Sequence, residues 1–180
     1  DPMEYPDIPK VDAKLSFQAP GDVFKRMINK TVFAVSKDEL RPILTGILMQ
    51  LRPGEVRLVT TDGHRLSRIV RRDLNYQGEA MDVIIPMKAL NLLMRNIDDD
   101  SVPDISVAET RASFNVPEQR LTTRLIEGRY PNYESVIPAE NPNRLTVNAD
   151  DFMSAVRRVS IFASQITRQV KLTIDGSRMK

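Results

Sequence analysis

Thr60-Thr61-Asp62-Gly63-His64-Arg65-Leu66 is the stretch around which this sequence is organised. A β-branched run, Val56-Arg57-Leu58-Val59-Thr60-Thr61, climbs into Asp62-Gly63, where glycine lets the backbone turn, and leaves as a second alternating run, Leu66-Ser67-Arg68-Ile69-Val70. Such a corner exposes a small group of polar side chains. The only histidine of the chain lies on it, flanked by Asp62 and Arg65 and followed by the apolar Leu66. Three readings are open: an Asp62/His64 acid-base pair, the rim of a docking pocket, or a plain hairpin corner.

Outward from the corner the pattern is mainly strand. Ile47 to Leu51, the Pro53-Gly54 turn and Val56 to Thr61 predict a hairpin that continues through the corner into Leu66 to Arg71. Upstream, Leu15-Ser16-Phe17-Gln18 alternates as a strand, and Asp22 offers an N-cap for a helix over Val23 to Ala34. Val23, Phe24, Met27, Ile28, Thr31 and Val32 fall on one stripe of that helix. Downstream, a loop around Asn75-Tyr76-Gln77-Gly78 leads to the strand Val83-Ile84-Ile85, and Pro86 is placed to begin a second helix reaching Ile97. Leu90, Leu93, Met94 and Ile97 form its core stripe, and Asp98-Asp99-Asp100 stops it. Ile105 to Ala108, Ala112 to Val116 and Leu121 to Ile126 are three further strands. A β-rich domain with two helices and no regular βαβ alternation is an α+β pattern.

The 180 residues suffice for one full domain and part of another. Hydrophobic residues at 41% and charged residues at 28% suit a soluble globular protein, and no apolar run approaches the ~20 residues that span a bilayer. The acidic start Asp1-Pro2-Met3-Glu4 lacks the apolar segment of a signal peptide, so the expected compartment is the cytoplasm. With no cysteine and one histidine, thiol nucleophiles, disulfides and Cys-based metal centres are excluded, and neither a cofactor nor a metal is expected. Pro2, Pro6 and Pro9 make residues 1–10 an extended linker from something upstream. Gly128 to Asn143, rich in proline and asparagine, carries the expected domain boundary. After it the pattern restarts: Leu145 to Ala149 repeats the shape of Leu15 to Ala19, Asp150-Asp151 answers Asp22, and Val170 to Ile174 with Asp175-Gly176 begins another hairpin.

The helix bodies Val23 to Ala34, Met87 to Ile97 and Phe152 to Ser164 hold no acid, where the chain's acidic frequency predicts about five in about 36 residues. They hold Lys25, Arg26, Lys30, Lys88, Arg95, Arg157 and Arg158. Solvated helix faces ordinarily mix signs to gain i,i+4 pairs, so one-signed faces in a chain of net charge +2 point to a polyanion. With no aromatics among the bases and no glycine-rich phosphate loop, duplex phosphates fit better than single strands or nucleotides.

These features together resemble the bacterial sliding clamp family, the β subunit of DNA polymerase III. The resemblance rests on Phe33-Ala34-Val35-Ser36, Arg41 to Gly46, Thr61 to Leu66, Ile85-Pro86-Met87-Lys88 and Glu127-Gly128-Arg129-Tyr130-Pro131-Asn132-Tyr133. It implies the DNA-clamp fold, antiparallel sheets with two helices per domain, and three such domains per protomer. Two protomers close head to tail into a ring whose helices contact duplex DNA without reading sequence. The chain would correspond to the end of the first domain (1–10), the complete middle domain (11–138) and the incomplete opening of the third (139–180). A homodimer ring is then expected of the full-length parent and not of this stretch alone.

The resemblance further implies a pocket for a short apolar motif carried by the replicative polymerase, the clamp loader and repair proteins. Carried over position by position, its residues are Leu44, Thr61, Gly63, His64, Arg65, Leu66, Pro131, Ser135 and Val136. Their chemistry suits docking. Leu44, Leu66, Pro131 and Val136 can each bury a partner's Leu or Phe for about 1.5–3 kcal/mol, while His64 and Arg65 orient polar groups. Ser135 stands where some members carry arginine, and Pro42-Ile43 where some carry aromatics. The resemblance implies a processivity factor and no enzyme. The alternative is a small hydrolase using Asp62 and His64, against which stand the missing nucleophile motif and an Asp-Gly-His spacing that shapes a turn more readily than a relay.

Overall fold

A computed structural model of the chain describes residues 12–74, 76–165, 167–176 and 178–179. The proline-rich linker expected over residues 1–10, and Asn75 of the expected loop, lie outside the described residues. The chain divides into two compact units, the first ending at Glu134 and the second running from Ser135 to Lys180.

The first unit is built from β1 (Leu15–Gln18), α1 (Gly21–Asn29), β2 (Gly46–Arg52), β3 (Glu55–Thr61), β4 (Leu66–Arg71), β5 (Met81–Pro86), α2 (Met87–Asn96), β6 (Asp104–Val107), β7 (Arg111–Val116) and β8 (Gln119–Arg124). The order is strand, helix, three strands, given twice. Two four-stranded antiparallel sheets result, β4-β3-β2-β5 and β1-β6-β7-β8. Each half lends its first strand to the other half's sheet, so β1 pairs with β6 and β5 with β2. Both helices start the same way, after a proline in extended conformation, Pro20 at φ −55° and Pro86 at φ −57°. Proline suits that position because it fixes φ and gives up only an N–H that the first turn cannot use.

Strand alternation sends Ile47, Met49 and Leu51 of β2, Val56 and Leu58 of β3, and Val83 and Ile85 of β5 into one core. There they meet Phe24, Met27 and Ile28 of α1, Leu90 and Leu93 of α2, and Ile105, Val107, Ala112 and Phe114 of the other sheet. Phe24 and Phe114 lie 6.3 Å apart between ring centroids, and Phe17 meets Tyr76 edge-on at 5.8 Å. The opposite face of β2, β3 and β5 carries Leu48, Gln50, Arg52, Arg57, Asp82 and Ile84.

Two expectations for the first helix are corrected. It ends at Asn29 instead of Ala34, and a separate 3-10 turn follows at Val32–Ala34. Thr31 is the cause: its hydroxyl bonds back to the carbonyls of Met27 and Ile28 (both 3.0 Å). The carbonyls of Lys30 and Thr31 are taken by the hydroxyls of Ser67 (2.5 Å) and Thr60 (2.6 Å) from the neighbouring sheet. Asp22 does not cap α1; it lies in the first turn, and the amides of Gly21 and Asp22 donate to the carbonyls of Ser101 (2.8 Å) and Asp99 (3.2 Å) just after α2. The amino end of α1 thus meets the loop at the carboxyl end of α2.

The second unit contains a 12-residue helix, α3 (Ala149–Ser160), and a short hairpin of β9 (Ile174–Asp175) and β10 (Arg178–Met179), with Gly176 in the left-handed region at φ 55°. The true cap of α3 is Asn148, whose side-chain oxygen accepts from the amides of Asp150 (2.9 Å) and Asp151 (3.1 Å). The acids expected to cap it occupy its first turn instead, where the helix dipole favours them. Leu145 to Ala149 does not form the expected strand. In the first unit the equivalent residue Leu15 pairs with Val107, far along the chain, and no described residue of the second unit plays that part.

Candidate functional site

The corner after β3 is held by its own backbone. The Asp62 side chain accepts the amides of His64 and Arg65 at one oxygen (both 3.0 Å) and the Arg65 guanidinium at the other (3.0 Å). Those backbone donors, Arg65 first and His64 second, pull the Asp62 carboxyl down to about 2 from its ordinary 3.8. Thr61 braces the base of the corner: its hydroxyl donates to the Arg65 carbonyl (2.8 Å) and accepts the Gly63 amide (3.1 Å). Gly63 turns at φ 93°, a conformation that costs glycine little and other residues more. The Arg65 guanidinium lies 5.7 Å from the centre of the Phe33 ring. His64 is exposed at the tip, and Leu66 opens β4 directly opposite Thr61.

Two other segments reach this corner. A 3-10 turn, Pro42–Thr45, begins with proline and places Leu44 in a buried position, while Arg41 just before it comes within 3.4 Å of the space a side chain at Gly63 would need. The segment Gly128 to Glu134 lies across the outer face of the β4-β3-β2-β5 sheet as a strap. Its Tyr130 hydroxyl accepts the Thr61 amide at 3.0 Å, which ties the strap to the base of the corner. Gly128, at φ 129°, lets the strap pass so close to Ile43 that a Cβ there would sit 2.8 Å from its terminal methyl. Thr61, Gly63, Arg65 and Leu66 are therefore assembled by bonds or pairing, while Leu44 lies on the turn after Arg41 and Pro131 follows Tyr130 on the strap. Ser135 and Val136 lie past the end of the first unit, on the 3-10 turn Tyr133–Val136, where both are exposed.

Beneath the strap is a cleft of about 640 Å³ floored by Leu48 and Ile84 and walled by Gln50, Arg52, Arg57 and Asp82. The Tyr133 hydroxyl donates to the Gln50 side-chain oxygen (2.6 Å), and Arg57 bonds Glu134 (2.9 Å) and Glu55. Arg52 pairs with Asp82 at 2.5 Å. Hydrogen bonds from Arg57 to Tyr133 and Glu55 raise its already high pKa further. This ring of paired charges pins the far end of the strap.

The basic residues on the helices stand differently from one another. Lys25 is paired with Asp99 at 2.6 Å, whereas Arg26, Lys30, Lys88 and Arg95 are exposed and pair with no carboxylate among the described residues. Lys30 is the C-cap residue of α1, one step outside the helix. Arg157 and Arg158 are exposed in the last turn of α3. Because α1 and α3 begin earlier than the sequence pattern suggests, they include Asp22, Asp150 and Asp151 in their first turns. Acids at amino ends and bases at carboxyl ends also match the helix dipole, so one-signed charge is strictly a property of α2 and of the later turns of α1 and α3.

Residues 18–132 match the family described as DNA polymerase III beta subunit, central domain. The chain belongs to this family. Beta sliding clamps from Bacillus subtilis (35% identical over 167 residues) and Staphylococcus epidermidis (36% over 168) each align with 92% of the chain and 44% of their own length. Among solved structures, the DNA polymerase sliding clamp from Bacillus subtilis superposes with a TM-score of 0.91 at 34% identity, covering 99% of this chain and 47% of that one. The sliding clamp from Pseudomonas aeruginosa bound to griselimycin gives 0.88 at 25%, covering 96% and 47%. The chain thus spans a little under half the length of these relatives, and the expected α+β clamp architecture is the one it has.

For a member of the β-subunit family, the sequence reading missed the strap's tyrosines and the paired charges under it. The Gly-Arg-Tyr-Pro-Asn-Tyr string was the available signal, since two aromatics spaced three apart with proline between them mark an extended segment that must lay its rings on something. Among the described residues no cluster of three or more His, Asp or Glu side chains could hold a metal, and no helix is long and apolar enough to cross a membrane.

Proposed function

We propose that this chain forms the docking and DNA-facing part of a sliding clamp, a non-enzymatic processivity factor that keeps replication enzymes on duplex DNA. The observation that carries the reading is the corner: Thr61 to Leu66 are braced at the end of β3, the turn that carries Leu44 sends Arg41 to Gly63, and the strap that carries Pro131 is tied to Thr61 through Tyr130. Leu66, half-buried, offers apolar surface to a partner's Leu or Phe, while exposed His64 and Arg65 supply polar edges. Ser135 and Val136 are the remaining proposed docking residues, and the partners are the polymerase, the clamp loader and repair proteins carrying a short apolar motif. Domain limits of 11–138 and 139–180, and closure of two longer protomers into a ring, belong to the same proposal.

The hydrolase reading finds little support at the corner. Both Asp62 oxygens are engaged by the corner's own amides and by Arg65, and among the described residues no bond joins them to the His64 imidazole. Titration of the full-length protein with a fluorescent synthetic peptide bearing adjacent Leu and Phe separates the two readings. Leu66→Ala should weaken binding by about 1–3 kcal/mol because less apolar surface is covered, and His64→Ala by less. Unchanged affinity in Leu66→Ala would sink the docking assignment. A hydrolase would show the reverse order, with His64→Ala abolishing turnover.

For DNA, the proposed contacts are Lys25, Arg26, Lys30, Lys88, Arg95, Arg157 and Arg158 to phosphates. Removing one charge-phosphate interaction should lower the slope of log affinity against log salt by about 0.9. Charge reversal at Arg26 and Lys88 should therefore flatten the salt dependence by about two, equally on unrelated duplexes. Lys25, already paired with Asp99, should contribute less than either. A loss confined to one sequence would contradict sequence-independent contact.

A further inference from the structure

We propose that the Tyr130 hydroxyl is a positioning group for the docking corner, holding the strap that carries Pro131 in register with the strand end that carries Thr61 to Leu66. The proposal rests on the docking reading above and adds to it a residue that itself lies outside the assigned pocket.

The geometry begins with an incomplete ladder. Pairing between β2 and β3 stops at Leu48 opposite Val59, two residues short of Thr61, so the β2/β3 ladder does not reach the Thr61 amide. Tyr130 takes over with a side chain: its hydroxyl accepts that amide at 3.0 Å. Thr61 is also the residue on which the corner hangs, bonded through its own hydroxyl to the Arg65 carbonyl and the Gly63 amide. One hydrogen bond therefore connects the strap to the whole corner network. The ring of Tyr130 is buried, and burial pushes its pKa up to about 12, so the hydroxyl keeps its proton across the working range of pH.

The far end of the strap has separate anchors, Tyr133 on Gln50 and Glu134 on Arg57. Removing the Tyr130 hydroxyl should therefore leave the strap on the sheet and release only its alignment with the corner. Tyr130→Phe keeps the buried ring and deletes the acceptor, which makes it the informative variant.

The test uses the full-length protein and the fluorescent Leu/Phe peptide. Tyr130→Phe should weaken binding about three- to tenfold, the worth of one hydrogen bond, with a melting temperature close to that of the parent. Exchange of the Thr61 amide with deuterium should accelerate in the same variant. Leu66→Ala is measured in parallel. If Leu66→Ala weakens binding and Tyr130→Phe does not, the positioning role is overturned while docking at the corner stands. If Leu66→Ala is silent, the docking reading falls and the positioning role with it. A Tyr130→Phe variant that loses affinity only where it also begins to unfold would likewise overturn the proposal, because the tyrosine would then be supporting the fold alone.

Discussion

Helices α1 and α3 carry similar amphipathic patterns and end up in opposite circumstances. In α1, Phe24, Met27 and Ile28 are buried in the core that both sheets share, and Gly21 against the segment after α2. In α3 no residue is buried, and Met153 and Val159 remain about half exposed. The sequence preceding each helix is also similar, Leu15 to Ala19 against Leu145 to Ala149, yet only the first becomes a strand. An apolar stripe is a capacity to pack, and it is realised only where strands from elsewhere supply the opposing surface. In the first unit those strands come from both halves through the exchange of β1 and β5. The described residues of the second unit supply only two strands of two residues each.

Phe24→Ala removes a fully buried ring that packs on Phe114 and should cost the first unit about 3–5 kcal/mol in urea unfolding. Phe152→Ala, at the matching place in α3, should stay within about 0.5 kcal/mol, as truncations of residues that are not buried usually do. Comparable losses in the two variants would mean that α3 has a core in solution.

A smaller effect separates core from corner within the first unit. Asp62→Ala leaves two backbone amides of the corner without their acceptor and should cost about 1–3 kcal/mol, with the core untouched. The pH dependence has a definite sign. The Asp62 carboxyl is held at about 2 in the folded chain against an ordinary 3.8, so its contribution is present above the ordinary value and is lost as pH falls through about 2. Acid unfolding of Asp62→Asn, followed by circular dichroism from about pH 5 down to about pH 2, should lack that component. If the two proteins titrate alike, the carboxylate does not hold the corner.

The strands were legible in the sequence because their signals are local. Period-two alternation placed Leu15–Gln18 and Leu66–Arg71 as they stand, and Pro86 marked the start of α2. The stop of α1 was hidden because it is imposed by Thr60 and Ser67, roughly thirty residues or more beyond Thr31, and by a threonine that reads as part of an apolar stripe. The strand exchange between halves was hidden for the same reason, since nothing near Leu15 names Val107 as its partner. The corner itself was legible, being one continuous run. The tyrosine that ties it to the strap was not, because that bond spans sixty-nine positions.

The smallest effect returns to the two helices, now at their amino ends. The first amides of α1 are satisfied by carbonyls of Asp99 and Ser101, groups that the fold brings from the far side of α2. Those of α3 are satisfied by the side chain of Asn148. Replacing the acidic residue in the first turn of α1, Asp22→Ala, should therefore cost only the dipole interaction of about 0.3–1 kcal/mol, because no capping bond is removed. Asn148→Ala should cost about 1 kcal/mol, a typical cap deletion. The consequence for α3 is larger than the number implies, since a helix of 12 residues without a buried face is near the limit of what propensity alone sustains. The helical circular dichroism signal should fall measurably in Asn148→Ala and stay level in Asp22→Ala. Equal losses would mean that α3, like α1, is held by packing and not by its cap.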